Sequence, residues 1–527
     1  MKKQYWLFAL VFITTNAFSQ SYIVKVNRSN NEPEEVTIAV NPKNPQQMVA
    51  GSNITNYYTS DDGGKTWSEG TLTSKTWGVY GDPVVYANDS GHFFFCHLSQ
   101  TKPPIGDSYN WLERIVVQKS TDGGKTWNEG AGIGFVPNKV QDKEWICGDF
   151  NPKSPHKGNL YISWTEFDKY NSKDFNDFSR IKFSHSTDGG NTFSEAIIIS
   201  DTVGDCVDGD NTLEGATPAV LPNGAVLVVW AGHGNIYLDK STDGGKTFGK
   251  DRIIAAQKGS WDIPVAEIMR TNGMPFLVAD NSTGTYNGNV YLLLGDETHG
   301  DADIFLLKST DEGETWSKKI RIGDDSIGNG KDQFLGHIAV DPTNGDIYIV
   351  YYDRQHSQNN LFIDTYVAFS TDGGETFTHR RITDKPFAAP GKEVFFGDYN
   401  GIAAYNGIVR PIWTDVTNGQ LAVKTALLDK QMLQKNAFGQ PVDYIGVKSK
   451  LKTDEELIVH LRLKETGTFI FKILEKGGGK TMYTQTFAQN TVLEQEIIPA
   501  DLVLPKGKYT VQVRQQNKTL EESFEVK

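Results

Sequence analysis

An eight-residue pattern recurs six times in this chain and constrains its fold more than any other feature. It starts at Ser60 (SDDGGKTW), Ser120 (STDGGKTW), Ser186 (STDGGNTF), Ser241 (STDGGKTF), Ser309 (STDEGETW) and Ser370 (STDGGETF). Successive starts lie 60, 66, 55, 68 and 61 residues apart. A supersecondary unit repeating at such a period stacks into an array or closes into a propeller. Within each unit the Asp accepts hydrogen bonds from its own turn, and the Gly pair supplies positive-φ positions. The Thr opens the outgoing strand, and the Trp or Phe lodges between neighbouring sheets. These six Asp residues are therefore structural rather than catalytic.

Three strand-like runs precede each box and one follows, which predicts a four-stranded blade. The first blade reads Glu35 to Val40, Met48 to Ser52, Tyr57 to Thr59 and Ser68 to Leu72. The fourth reads Thr217 to Leu221, Ala225 to Ala231, Ile236 to Lys240 and Arg252 to Ala255. After the sixth box come three more strands, Phe395 to Ala404, Ile408 to Asp415 and Leu421 to Leu428, with no box behind them. Tyr22 to Val26 is free to supply their fourth, joining the chain's two ends and removing open edges. The expectation is an all-β chain, a propeller of seven four-stranded blades with six as the alternative.

The pattern S-x-D-x-G-x-T-W/F resembles the Asp box of sialidases and of the wider sialidase-like, BNR-repeat propellers. The resemblance covers roughly residues 21 to 430 and implies the fold more strongly than any activity, because the box serves many functions. Residues 441–527 lose the box and show alternating strands instead, such as Glu456 to Leu463 and Tyr509 to Val513. They predict a small C-terminal β-sandwich, loosely similar to Bacteroidetes secretion sorting domains, with an Ig-like accessory module as the other reading.

Lys2, Lys3, the apolar run Trp6 to Thr14 and Ala17-Phe18-Ser19 form an export signal over residues 1–19. The expected organisation is therefore signal 1–19, propeller 20–440 and sandwich 441–527. No later run reaches membrane-spanning length. The expected location is outside a Gram-negative cell or on its surface, with the periplasm as the alternative. The formal net charge of −13 disfavours nucleic acid as a partner. The tail carries 13 basic and 12 acidic residues, so the propeller holds the negative charge. Cys96, Cys147 and Cys206 are too few and too dispersed for a disulfide framework. A monomer is expected, with an extracellular glycan or surface protein as partner.

Asp boxes occupy the 3–4 turns, so the starts of the innermost strands and the 2–3 loops line the opposite, top face. The long loops Leu98 to Glu113, Glu166 to Ser179, Asp296 to Asp303 and Asp353 to Asp364 fall there, where binding usually resides. Acidic residues mark the inner-strand starts: Asp82, Glu144, Asp149, Asp262 with Glu267, Asp332 and Asp398. Carboxylates converging on one channel mouth raise each other's pKa or hold a cation. Asp82, Glu144, Asp149, Arg354, Asp398 and Tyr399 are accordingly the candidate catalytic residues. Trp145, Trp261, Arg270, Tyr351 and Arg410 are the candidate ligand contacts, with Trp111 a further stacking surface.

The resemblance implies three arginines gripping a carboxylate, a Tyr nucleophile with its Glu, and an Asp acid/base. The F/Y-R-I-P motif that carries the first arginine in that family is missing, since the comparable stretch reads Glu35-Val36-Thr37-Ile38-Ala39-Val40-Asn41-Pro42. Strict sialidase activity is therefore not expected. Acid/base hydrolysis of other glycans remains open, as does lyase chemistry through His233, His299, His337, His356 or Tyr351 with Arg354. So does a non-catalytic role in binding glycan or protein. Asp205, Asp208 and Asp210 cluster oxygen ligands suited to Ca²⁺, the one cofactor suggested, although the full loop spacing is missing.

Overall fold

The computed structural model describes residues 22–101, 112–436 and 443–527, less positions 32, 454, 478, 490–492, 501 and 517. The expected export signal, Trp111 and the predicted boundary at 440–441 lie outside the described residues. Among the described residues there is one helix, Lys430–Lys435, capped by Asp429, whose side chain accepts from the Met432 N–H at 2.8 Å. The rest of the regular structure is β.

Seven antiparallel sheets follow one another between Ile23 and Asp429. The fourth sheet is representative: Glu214–Val220, Val226–Gly232, Asn235–Ser241 and Arg252–Ala256, in chain order. Its second strand, VLVVWAG, is buried throughout, because sheets pack against both of its faces. Its outermost strand is half-exposed, with Ile253 facing solvent. The last sheet, Gly401–Tyr405, Ile408–Thr417 and Gln420–Ala426, takes its fourth strand from the other end of the chain. That strand is Ile23–Lys25, with Ile23 opposite Ala426. The first strands of the seven sheets touch in sequence, and the seventh touches the first, so the ring is closed. Fully buried Trp164, Trp230 and Trp413 fill the spaces between sheets.

The boxes act as the spacers of this ring. In the first, Ser60 Oγ donates to Asp62 at 2.9 Å, and Asp62 accepts from the Thr66 N–H at 2.9 Å and its hydroxyl at 2.7 Å. The same Ser–Asp–Thr pattern recurs in the other five. The second Gly of a box lies against the preceding sheet: Gly124 on Val49, Gly190 on Phe94, Gly245 on Phe183. In the fifth box Glu312 stands in the first Gly position, at φ 60°. At the closure of the ring, Arg410 of the last sheet donates from Nε to the Gly63 carbonyl of the first box at 2.9 Å.

Beyond Asp443 the chain forms a three-stranded sheet (Tyr444–Val447, Val459–Leu463, Leu493–Ile497) and a five-stranded one. They share one core containing Leu461, Phe469, Phe471, Ile473, Val511 and Val513. Polar bonds hold this unit to the sixth sheet's side of the ring. Arg381 lies 3.0 Å from Glu494, and Glu496 accepts from Ser357 Oγ at 2.6 Å and the Asn359 N–H at 2.9 Å.

One local device positions the site. At or just before the first strand of six of the seven sheets, a residue takes positive φ: Glu35 (54°), Asp82 (50°), Lys143 (52°), Gly215 (69°), Leu335 (47°) and Gly397 (90°). In three of these sheets the pairing register slips at that point, between Asp142/Trp145, Glu214/Thr217 and Phe334/His337. Such bulges re-aim side chains, and here they leave consecutive residues unpaired at the channel mouth. Positive φ costs a non-Gly residue about 1 kcal/mol or more, a strain that clusters at functional sites. The strand predicted from Phe395 begins at Gly401 because the residues before it bend into this mouth.

Candidate functional site

Two cations organise the mouth. Lys143 Nζ is 5% exposed and lies 3.1 Å from Glu35, 3.1 Å from Asp82 and in contact with Asp398. Arg270 Nε donates to Asp398 at 2.9 Å, its Nη1 donates to Asp208 at 2.9 Å, and its guanidinium carbon lies 5.2 Å from the centre of the Phe395 ring. The hydroxyl of Tyr170, from the predicted top-face loop, donates to Asp208 at 2.5 Å. Trp261 Nε1 donates to the other Asp208 oxygen at 3.2 Å. Asn53 ties two sheets together, donating to Glu35 and accepting from the Asp82 N–H at 2.8 Å. Asp142, Glu144 and Glu214 complete the set, all buried. Among the described residues no donor reaches either carboxyl oxygen of Glu144 or of Glu214.

The carboxyl groups divide by environment. Burial alone would raise Asp398, but Arg270 and Lys143 outweigh it and hold the group ionised, well below the usual range. Burial, then the charge of Asp82, pushes Glu35 well above the ordinary carboxylate value, and a hydrogen bond with Asp82 adds to the rise. Glu214 is raised by burial, then by the charges of Asp208 and Asp142. Glu35 and Glu214 are therefore the proton-bearing carboxyl groups of the mouth, each beside a neighbouring Asp. Glu144 rises through burial and Asp82, and Asp142 through burial, Asp82 and Asp208.

Aromatic rings close the channel beneath. Trp145 packs edge-on against Phe276 and Tyr399, with centroids at 5.2 and 5.5 Å, and lies 5.6 Å from the His337 ring. Burial holds His337 neutral, with its pKa lowered to about 3. Tyr399 donates its hydroxyl to the Pro83 carbonyl at 3.2 Å, and burial followed by Glu35 and Asp82 pushes its pKa well up. A phenol so disposed stays protonated and serves the floor rather than acting as a nucleophile.

Of the sequence candidates, the structure thus brings together Asp82, Glu144, Asp398, Tyr399, Trp145, Arg270 and Asp208, and it moves the others away. Asp149 follows the far end of its strand, in the bottom-face 1–2 loop, where it accepts from Ser154 and from the Asn151 N–H at 3.2 Å. Arg410 is the bottom-face clasp described above. Trp261 is 1% exposed and positions Asp208 through its indole instead of stacking on a ligand. Tyr351 is buried and shares a 3.1 Å hydrogen bond with His379. Arg354 lies fully buried over Phe334, 3.6 Å from Asp332, and burial lowers its pKa to about 10. The suggested Ca²⁺ ligands diverge. Asp205 accepts from Thr212 Oγ1 at 2.9 Å, Asp208 serves Arg270, and Asp210 accepts from the Asp262 N–H at 2.8 Å. Among the described residues no group of three or more His, Cys, Asp or Glu is placed to hold a metal ion.

Sequence reasoning missed Glu35, Asp142, Lys143, Glu214 and Tyr170 as site residues. Their one shared signal is a polar residue next to the start of an inner strand or within a top loop. No three-arginine grip forms here: Arg270 and Lys143 are the mouth's cations among the described residues, and both are already paired. A separate cavity of 660 Å³ lies between the last sheets and the C-terminal unit, lined by Lys385, Phe387, Leu421 and Tyr444 among others. Its Lys424 and Lys448 pair with Asp415 and Glu455.

A model of the BNR/Asp-box repeat matches residues 58–69, the first box. In fold, the chain is a β-propeller carrying Asp-box repeats. No curated relative matches its sequence. Among solved structures, a Hadza microbial sialidase is similar at 12% identity over 73% of each chain, with a TM-score of 0.42. The α-L-arabinofuranosidase of Fusarium graminearum in complex with arabinobiose is 13% identical over 78% of this chain and 98% of that one, at 0.43. An α-L-arabinanase of Penicillium chrysogenum is 14% identical over 63% and 92%, at 0.40.

Proposed function

We propose that this Asp-box propeller is an exported glycan-active protein that cleaves glycosidic bonds by acid/base catalysis at the Lys143–Arg270 mouth, and that it is not a sialidase. What carries the reading is the split ionisation of the mouth: Glu35 and Glu214, raised by burial, flank Asp398, which stays ionised. Environments that drive carboxyl groups apart in this way assign acid and base roles. One of these raised carboxyl groups gives its proton to the leaving oxygen as the glycosidic carbon–oxygen bond breaks. Water adds its oxygen to the sugar carbon and loses a proton to the opposite carboxylate. Export rests on residues 1–19, and the C-terminal sandwich acts as an accessory module docked beside the top face.

The test is turnover of a panel of neutral glycosides, sialosides and uronic oligosaccharides by the purified chain. Loss of a general acid or base lowers the rate roughly 10²- to 10⁴-fold. Asp82→Asn and Glu214→Gln should fall in that range, and bottom-face Asp149→Asn should not. Absence of turnover on every substrate overturns the catalytic reading. One observation favours a second reading, binding without cleavage: Arg270 covers Asp398, whose side chain has no exposed surface.

A further inference from the structure

We infer that the mouth selects glycans bearing a free amine, with the sugar's ammonium seated against Glu144 and Glu214. This rests on the glycan-cleaving reading and names its substrate class. Seven carboxyl groups from five sheets meet there, namely those of Glu35, Asp82, Asp142, Glu144, Asp208, Glu214 and Asp398. Lys143 and Arg270 are the opposing charges, and both are committed to Asp398 and its neighbours.

Independently of that excess of carboxyl groups, Glu144 and Glu214 are 1% and 0% exposed, and among the described residues no donor meets any of their four carboxyl oxygens. A buried polar group in that state lacks a partner that an occupant of the mouth can supply. A sugar hydroxyl brings one hydrogen, whereas an ammonium brings three together with a positive charge. The excess of carboxyl groups over cations decides between them, because an entering cation lets raised carboxyl groups such as Glu144 and Glu214 ionise against it, whereas an anion gains no such partner. Among the described residues the mouth's cations, Lys143 and Arg270, are already paired, so a carboxylated sugar gains no new counter-ion there. Half-buried Trp145 below provides the apolar contact a pyranose needs, and its aromatic face favours cations.

The test is calorimetric titration of the whole chain with three probes: a β-1,4-linked glucosamine trimer, its N-acetylated counterpart and a galacturonate trimer. The free-amine trimer should bind at least about tenfold more tightly than the acetylated one, and the galacturonate should give no heat. The preference should fall when NaCl is raised from about 50 mM to about 500 mM. Glu144→Gln and Glu214→Gln should each reduce it. If either variant fails to fold, the ratio of wild-type affinities and its salt dependence still decide. Equal affinity for the amine and acetylated trimers overturns the inference while leaving the glycan-cleaving reading intact. A preference that survives both substitutions overturns the proposed seat. If no glycan on the wider panel is bound or cleaved, both fall.

Discussion

Lys143→Met removes the charge at the centre of the mouth while keeping the length and packing of the side-chain stem. The ammonium sits 3.1 Å from Glu35 and 3.1 Å from Asp82 and touches Asp398, at 5% exposure. At an effective dielectric of about 20 each such contact is worth ~5 kcal/mol before desolvation is subtracted. Removing one partner from a buried charged set costs about 3–5 kcal/mol net, because the carboxylates left behind stay buried without a counter-ion. The loss depends on pH with a definite sign. Asp398 has a depressed folded-state pKa, so its stabilisation is full above its unfolded value of about 3.9 and disappears as pH falls through the folded one. Without Lys143 that depression shrinks and Glu35 is driven still higher. The variant therefore takes up protons, and its deficit narrows as the solution is acidified. Equilibrium urea unfolding at pH 7.5 and pH 5 measures this directly. The expected deficit is about 3–5 kcal/mol at the higher pH and distinctly less at the lower. Adding Asp398→Asn should recover part of it, giving a coupling energy above about 1 kcal/mol. A deficit below that size at pH 7.5, or one equal at both pH values, refutes the argument that Lys143 is the electrostatic keystone.

Glu214→Gln should do the reverse. A carboxyl group raised in the folded state costs stability as pH climbs above its unfolded value, so the variant should gain about 1–3 kcal/mol at pH 8, the gap closing towards pH 4. Arg410→Met should loosen the closure of the ring, since it deletes bonds to the carbonyls of Gly63, Val409 and Leu428 at 2.9, 2.9 and 2.6 Å. The expected cost is about 2–3 kcal/mol, read as faster amide exchange in Ile23–Lys25 and Gln420–Ala426. Glu494→Gln should weaken docking of the C-terminal unit, which limited proteolysis reports as earlier release of that unit. Burial opposes ionisation of Glu494, but His460, Arg462 and Arg381 overcome it and depress its pKa. Burial likewise opposes the charged form of His460, which its bonds to Glu494 and Glu496 nonetheless favour, so its pKa is raised. The Glu494 contribution is lost as pH falls and the His460 contribution as pH rises, so wild-type docking should be firmest between about pH 4.5 and pH 6.5.

The six boxes were legible in the sequence because everything they need is contiguous. Ser186, Asp188 and Thr192 satisfy one another within a single turn, and their spacing is their geometry. Buried second strands were legible for a similar reason: a run such as Val226–Gly232 can only lie between two packed sheets. The fold class followed from those local signals. Which of many acidic residues belong together did not. Asp82 and Asp149 look alike as carboxylates beside an inner strand, yet they occupy opposite faces, because Asp149 follows its strand where Asp82 precedes it. Lys143 looks like one more strand residue until a bulge at φ 52° turns it against carboxylates from three other sheets. Trp261 and Tyr351 look like ligand platforms and are buried supports. The recurring turn was determined by the sequence alone, since its hydrogen bonds span only a few residues. The site was decided by the closed ring, which brings residues as distant as Glu35 and Asp398 within reach of one ammonium and so sets which carboxyl groups are ionised, proton-bearing or left without a donor.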